Sequence, residues 1–496
     1  MSRLKQVRFL GSLLSAIAVT STPTCAAPKR TLLHYTFTVD ASSTTPTLHV
    51  VLTFRGDGTG HTRLKLPSTW AGETDLSHAI VNLHALSATT ALNGSEDPDT
   101  FVLQYPPSRN IAIAYDLAQD WSGQLRHPKE FHVVLRLADF VFNGNNGLVH
   151  PELNAPAPVG AILDWKGLPP GWTVVTSFGA GGVRQKFHGS WRELQGAFFA
   201  AGDFRLRHSS VAGEKLTIAI QGSWIFTDTQ AEDELRKIFA IERNFWSDHH
   251  RDSYLVIILP FDQDLGSSDG TVLTKTIQFY LSRKQTFGTE EKALLAHEVF
   301  HTWNPYRIGL PPNRSGEVSW FTEGFTTYYQ ERILLWAGLV TYAEYLERLN
   351  AIVSEYWNSA DRNWTQEQWL ARKNTTGPEG KLPYNRGAVV AFWLDQALQQ
   401  QNPGHRSLDD VMFGLARGKG RSRITTESLL RDLGSDLSPA DNNALRSFVL
   451  DGTTIPLPPS LFGNCARIDF MGRDAVPQYL PVQSAACMQV RAPSRK

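Results

Sequence analysis

The chain is 496 residues long, too long for a single hydrophobic core, and with 42% hydrophobic and 19% charged residues it is neither disordered nor fibrous. Its 48 basic residues balance 48 acidic ones, so the formal charge is +0 and there is no electrostatic ground for a nucleic-acid partner. Beyond the N-terminus, no stretch reaches the roughly 18 consecutive apolar residues that a membrane-spanning helix needs.

At the N-terminus, Arg3, Lys5 and Arg8 precede an apolar run at 9–19 and then the small residues Cys25, Ala26 and Ala27. This order predicts a secretory leader over 1–27. It also predicts an exported protein, periplasmic or extracellular, with no stable membrane insertion once the leader is removed. From 28 to 206 the sequence alternates apolar and polar residues in short bursts (YTFTV, LHVVLTF, FVLQY, IAIAY, FHVVLRL). Turn residues such as Gly56-Asp57-Gly58 and Asn143-Gly144-Asn145 separate them, which predicts an all-β, sandwich-like domain. No catalytic constellation is visible in it.

Near Gly213 the texture changes: the strands LTIAI and SYLVIILP flank a helical pattern over 231–246. After Thr289 the pattern is almost wholly helical, with helices expected at 290–303, 321–337, 341–357, 386–401, 407–416, 425–433 and 439–450. Strands followed by helices predict an α+β domain over 207–455. Pro456, Pro458 and Pro459 end the helical region, and 456–496 reads as a tail holding Cys465 and Cys487. In an oxidising compartment these two would form a disulfide, closing a loop of about 22 residues for roughly 3 kcal/mol. The alternative is two buried free thiols.

His297-Glu298-Val299-Phe300-His301 lies in one of the expected helices, with Thr289 placed to cap it and Glu290 and Glu291 suited to its positive end. Histidines one turn apart on one helical face can reach a single cation. Glu298 lies beside them, free to take a proton from an attacking water. A buried helix with two satisfied core histidines would read the same way, so a third ligand decides. Glu323, in WFTEGFTTYY on the next expected helix, completes a two-histidine, one-carboxylate set that leaves a zinc position open. Gly324 permits close approach there, and Thr326, Thr327 and Gln330 lie within reach as supporting partners. Downstream, Tyr384 in KLPYNRGAVVAFWLDQAL can donate to an oxyanion; its alternative is a helix-start aromatic in water.

These segments resemble the glycyl-aminopeptidase-like zinc peptidases, part of the gluzincin group with a thermolysin-like catalytic domain. HEVFHTWN with Arg307-Ile308 after it, WFTEGFTTYY and PYNRGAVVAFWLDQAL carry the resemblance, and AGDFRLRH adds a weaker match. It spans most of 30–460. The resemblance implies one zinc ion per chain on His297, His301 and Glu323, with Glu298 as general base and then acid and Tyr384 as oxyanion donor. It implies an N-terminal β domain before a thermolysin-like, mainly helical catalytic domain, and a peptide or protein substrate. A PDZ domain follows in many relatives, and 456–496 is too short to hold one.

Three departures stand out. Thr327 replaces an aspartate that relatives often carry four residues after the metal-binding glutamate. Arg386 takes the place of a lysine as a supporting residue. The third departure lies in SSDGTVLTKTIQFYLSR at 267–283, whose alternation marks an edge strand. In gluzincins such a strand lies above the zinc and pairs with an extended substrate. Where relatives show a Gly-Leu-Glu-His-like string, this chain reads Gly270-Thr271-Val272-Leu273, without the glutamate that would hold a substrate's ammonium group. Asp269 is the nearest substitute, or simply the first residue of an Asp-Gly turn. Asp269, Gly270 and Thr271 are therefore the expected substrate-binding residues. The expected function is a zinc metallopeptidase, an aminopeptidase with a relaxed N-terminal requirement. The rivals are a non-catalytic, zinc-stabilised exported binding protein and a group member that opens lipid epoxides. Sequons at Asn93, Asn313, Asn363 and Asn374 do not discriminate among them.

Overall fold

The computed structural model describes residues 31–482 except 41–45, 154–156, 249–252, 312–315, 373–377, 402–405, 419–422, 462–464 and 472–475. The expected leader, Cys487 and the sequons at Asn313 and Asn374 lie outside these. Among the described residues no helix is long and apolar enough to cross a membrane.

The expected sandwich is present, but it belongs to a stack of three sheets. A six-stranded sheet runs Arg184–Ser190, Pro158–Lys166, Thr31–Asp40, Thr47–Arg55, Asn110–Leu117, Ile80–Ala85. Alternation along Thr31–Asp40 turns Leu33, Tyr35, Phe37 and Val39 inward. They face a five-stranded sheet that includes Asp139–Asn143, Thr173–Thr176 and Phe198–Gly202. Phe37 meets Trp165 with ring centroids 4.2 Å apart and Phe142 at 5.6 Å, which fills the gap between the two. A third sheet follows, ordered Arg205–Val211, Glu214–Ile220, Ser253–Pro260, Thr276–Leu281, Ser268–Leu273. Its first strand crosses the domain boundary expected at 206.

Period-two alternation explains this stacking. In the middle sheet Phe140, Phe142 and Phe199 point into the sandwich, while Val141, Phe198 and Ala200 point the other way, towards the third sheet. In the third sheet Leu255, Ile257, Leu259 and Tyr280 meet them. Tyr254, Val256, Ile258 and Phe279 face the helices. Within Ser253–Pro260 the run 254–259 is continuously apolar because both its faces are buried.

Most expected helices form, among them Asp228–Trp246, which crosses over between the parallel strands Glu214–Ile220 and Ser253–Pro260. Four local readings differ. FHVVLRL yields only the strand Val134–Arg136 after a short 3-10 turn at Lys129–Phe131, because His132 is tied to Asp120 and Glu73. Asn143 caps a single helical turn, Gly144–Gly147, in place of an open turn. A short helix, Gln366–Arg372, lacks an apolar stripe and was not expected; none of its residues is buried. The tail carries a three-stranded sheet (Ser460–Leu461, Ala466–Met471, Val476–Pro481) pinned by Asn350, whose amide bonds both backbone groups of Tyr479. Cys465 is disulfide-bonded.

Candidate active site

The helix Thr289–Phe300 is buried on most sides and presents His297, Glu298 and, at its C-terminal end, His301 to a cleft. Its cap is Gly288, not Thr289: the Glu291 carboxylate accepts the Gly288 N–H at 2.9 Å, and Gln285 holds the other carboxylate oxygen at 2.7 Å. Glu323 sits at the break between Ser319–Thr322 and Gly324–Trp336. Its Oε2 lies 3.2 Å from His297 Nε2 and 3.4 Å from His301 Nε2.

Both imidazoles are oriented by their other nitrogen. His297 Nδ1 faces Gln330 Oε1 at 3.1 Å, and Gln330 in turn donates its amide to Glu331 at 2.6 Å. Arg348 clamps Glu331 at 2.6 and 3.0 Å, so the Gln330 carbonyl is left to accept from the imidazole. His301 Nδ1 faces the Asn304 carbonyl oxygen at 2.8 Å. The Asn304 side chain is itself fixed by Phe321 O at 3.1 Å and Thr326 Oγ1 at 3.3 Å. With each Nδ1 facing a fixed acceptor, both Nε2 atoms are turned towards Glu323. Two imidazoles and one carboxylate fit a divalent metal with an open position. Burial opposes charge on His301, yet the Glu323 carboxylate holds its pKa up to about 9. That proton marks where a cation would balance the same carboxylate.

Glu298 also lies near, its carboxyl within 4.8 Å of both histidine ligand atoms. Burial raises its proton affinity above the ordinary glutamate range, against the pull of His301 and His297. It is packed under the edge strand Ser268–Leu273: a Cβ on Gly270 would lie 2.5 Å from Glu298 Cγ and 3.0 Å from Cδ. Glycine is therefore what allows this backbone to pass over the carboxylate. That strand pairs antiparallel with Thr276–Leu281 and leaves its other edge unpaired by any described strand, so the single edge strand expected over 267–283 is a hairpin whose first strand is the edge and whose second is interior.

Gly324 and Gly387 bring the third element in. A Cβ on Gly324 would lie 2.3 Å from Gly387 Cα, so the helices Gly324–Trp336 and Leu382–Gln401 pack with almost no separation. The Tyr384 ring consequently stacks over His297 at 5.8 Å and 24°. The residue is 38% exposed, while the charge of the nearby Glu323 carboxylate holds its phenol proton well above the ordinary range.

The cleft these elements enclose has a volume of about 510 Å³. Asp269, Glu290, Glu298, Glu323 and Glu355 line it, opposed by Lys381. Of the expected supporting residues, Thr326 acts through Asn304, and Thr327 lines the cleft while donating to the Glu323 backbone carbonyl at 2.9 Å. Gln330 takes the imidazole. Arg386 does not join them. It sends its guanidinium to Trp364 O at 2.6 Å and Val449 O at 2.8 Å, and burial lowers its pKa to about 10. Asp269 and Gly270 line the cleft, but Thr271 is not among the lining residues. Asn304 closes the HEVFHTWN string but was given no role from the sequence, and the pair His127 and Glu130, which reaches Asp269 from the N-terminal domain, carries no motif and was not read from the sequence.

Residues 290–386 match a family model for M61 glycyl aminopeptidase. Among curated proteins, Leucine aminopeptidase 2 of Ajellomyces capsulatus is 25% identical over 155 residues, which cover 29% of this chain and 23% of that protein. The chain thus spans about a quarter of the length of the curated relatives it matches. An aminopeptidase N family protein from Idiomarina loihiensis shares the fold with a TM-score of 0.72 at 19% identity, covering 86% of this chain and 77% of that one. An M1 zinc metallopeptidase from Deinococcus radiodurans aligns with a TM-score of 0.54 at 15% identity, over 87% and 95% of the two chains. The segment that carries the paired histidines, Glu323 and Tyr384 is thus the part of the chain that matches an aminopeptidase family model, and the match and the shared fold are consistent with a gluzincin, aminopeptidase-like family.

Proposed function

We propose that this chain is an exported, zinc-dependent metallopeptidase that hydrolyses peptide bonds as an aminopeptidase with a relaxed need for a free N-terminus. The observation that carries the reading is the convergence of His297, His301 and Glu323, with Glu298 held beside them under a strand edge. Zinc, when bound by those three side chains, supplies a Lewis acid that polarises the scissile carbonyl and acidifies water. Glu298, whose proton affinity is raised by burial, takes the proton of the attacking water and passes it to the departing amine. Tyr384 keeps its proton and donates a hydrogen bond to the carbonyl oxygen as charge develops. The free edge of Ser268–Leu273 offers backbone groups to an extended peptide. The carboxylates that line the cleft draw in cationic peptide ends and suit a lipid tail poorly. Export is supported by the leader-like composition of 1–27.

The test combines metal analysis with cleavage of a mixed peptide library read by mass spectrometry, before and after chelation and zinc return. Hydrolysis that disappears with the metal and returns with zinc is the expected result. Zinc bound without hydrolysis of any peptide would establish the non-catalytic scaffold instead.

A further inference from the structure

The N-terminal domain brings His127 and Glu130 to Asp269, which lines the cleft. Glu130 follows the segment that enters the seam between the domains and is 2% exposed. Its Oε1 accepts from His127 Nδ1 at 2.8 Å, and its buried Oε2 has no partner among the described residues. The same His127 nitrogen lies 3.4 Å from Asp269 Oδ2, on the catalytic edge strand. The position is built, not incidental. The His127 ring stands edge-on to Phe131 at 5.5 Å and 83°. Gln278 donates to Glu130 O at 3.4 Å, and Leu125 N–H donates to Asp262 at 2.7 Å, so the catalytic sheet fixes the loop on both sides.

Asp269 is the carboxylate that the proposed function needs if a peptide's ammonium is to be held near the metal, and it is already engaged. Asp269 first and Glu130 second raise the His127 pKa to about 10, so the ring is cationic at neutral pH. We propose that the His127 imidazolium occupies the place in which a peptide's terminal ammonium would pair with Asp269 and Glu130, which makes His127 a specificity-determining residue contributed by the N-terminal domain. This rests on the peptidase reading and deepens it. With the cation supplied from within, a free N-terminus confers little advantage, and peptides with blocked ends or internal bonds enter on similar terms.

The test uses the full zinc-loaded chain and two matched peptides, one with a free and one with an acetylated N-terminus, and reads the ratio of their kcat/KM values. His127→Gln removes the charge and should raise the free-to-acetylated ratio roughly ten- to a hundredfold, the factor that a charge-assisted contact confers, through a lower KM for the free peptide. His127→Lys restores a cation and should return the ratio to the wild-type value. Adding Asp269→Asn to His127→Gln should erase the gain. In the wild-type background Asp269→Asn should leave the ratio near its starting value, and this arm decides the matter even if His127→Gln fails to fold. An unmoved ratio in folded His127→Gln overturns the inference, as does a tenfold fall in the ratio on Asp269→Asn alone. It is also overturned if zinc titration finds a second ion that His127→Gln loses, which would make the cluster a metal site. A wild-type chain that cleaves neither peptide overturns the peptidase reading and this inference together.

Discussion

At the end of the cleft that holds the candidate metal donors, those donors come from two neighbouring helices; His301 is aimed by Asn304, three residues on, and His297 by Gln330 on the second helix, one turn beyond Thr327. At the other end the carboxylates and their cation come from a loop of one domain and an edge strand of another, more than a hundred residues apart. Helical periodicity places the first set, so little besides the local chain can misplace it. The second exists only when the sheets have stacked. The proposed chemistry thus draws on a few neighbouring helices of one domain, whereas the proposed recognition is encoded at a seam.

Substitutions can sharpen that contrast, beginning with the largest effect. Glu298→Gln should lower kcat roughly 10³- to 10⁴-fold while about one zinc per chain is retained, measured by turnover alongside metal analysis. Comparable activity in that variant would move the base elsewhere. Tyr384→Phe should lower kcat roughly 10²- to 10³-fold, with an unchanged melting temperature, since the ring stacking on His297 remains. Gly270→Ala joins the two ends, because its new methyl would press on Glu298 from the strand above. About 10²-fold lower kcat/KM with normal zinc content is expected for such a displacement of the base. If kcat/KM is unaffected, the strand and the carboxylate are less tightly coupled than their packing indicates. The smallest effect should come from Gln330→Ala, which frees the His297 Nδ1 and should weaken zinc affinity roughly 10- to 100-fold in a chelator competition. Unaltered affinity would show that the imidazole needs no partner on that side.

The same division governs what can be read from the sequence. His297, Glu298, His301, Glu323 and Tyr384 were legible because spacing and residue type constrain them together, and the edge strand was legible from its alternation. Gln330 stood out only as one of three candidates beside the metal. Glu331 and Arg348, which orient it, carry no pattern that separates them from any helix-surface ion pair. Arg386 was expected beside the site because it stands where relatives carry a supporting lysine, and a matching position does not say which neighbour a longer side chain will reach. It turns to the carbonyls of Trp364 and Val449. His127 and Glu130 lie just ahead of FHVVLRL, in a stretch with no pattern of its own, and their proposed role depends on a contact that no local window contains. The sandwich was visible in outline. Its third layer was not, because the pattern in FFAAG and YLVIIL states that both faces are covered but not by what.

That two-sided burial also bears on how the molecule can be taken apart. A fragment beginning at Arg205 would lay Leu255, Ile257, Leu259 and Tyr280 open to water, and each exposed Å² of such apolar surface costs roughly 25 cal/mol. Surface of that kind recruits other chains, so the helical half expressed by itself should aggregate instead of returning a minimal enzyme. Any grafting or shuffling of peptidase halves within this architecture has to carry the middle sheet along with the metal-bearing helices.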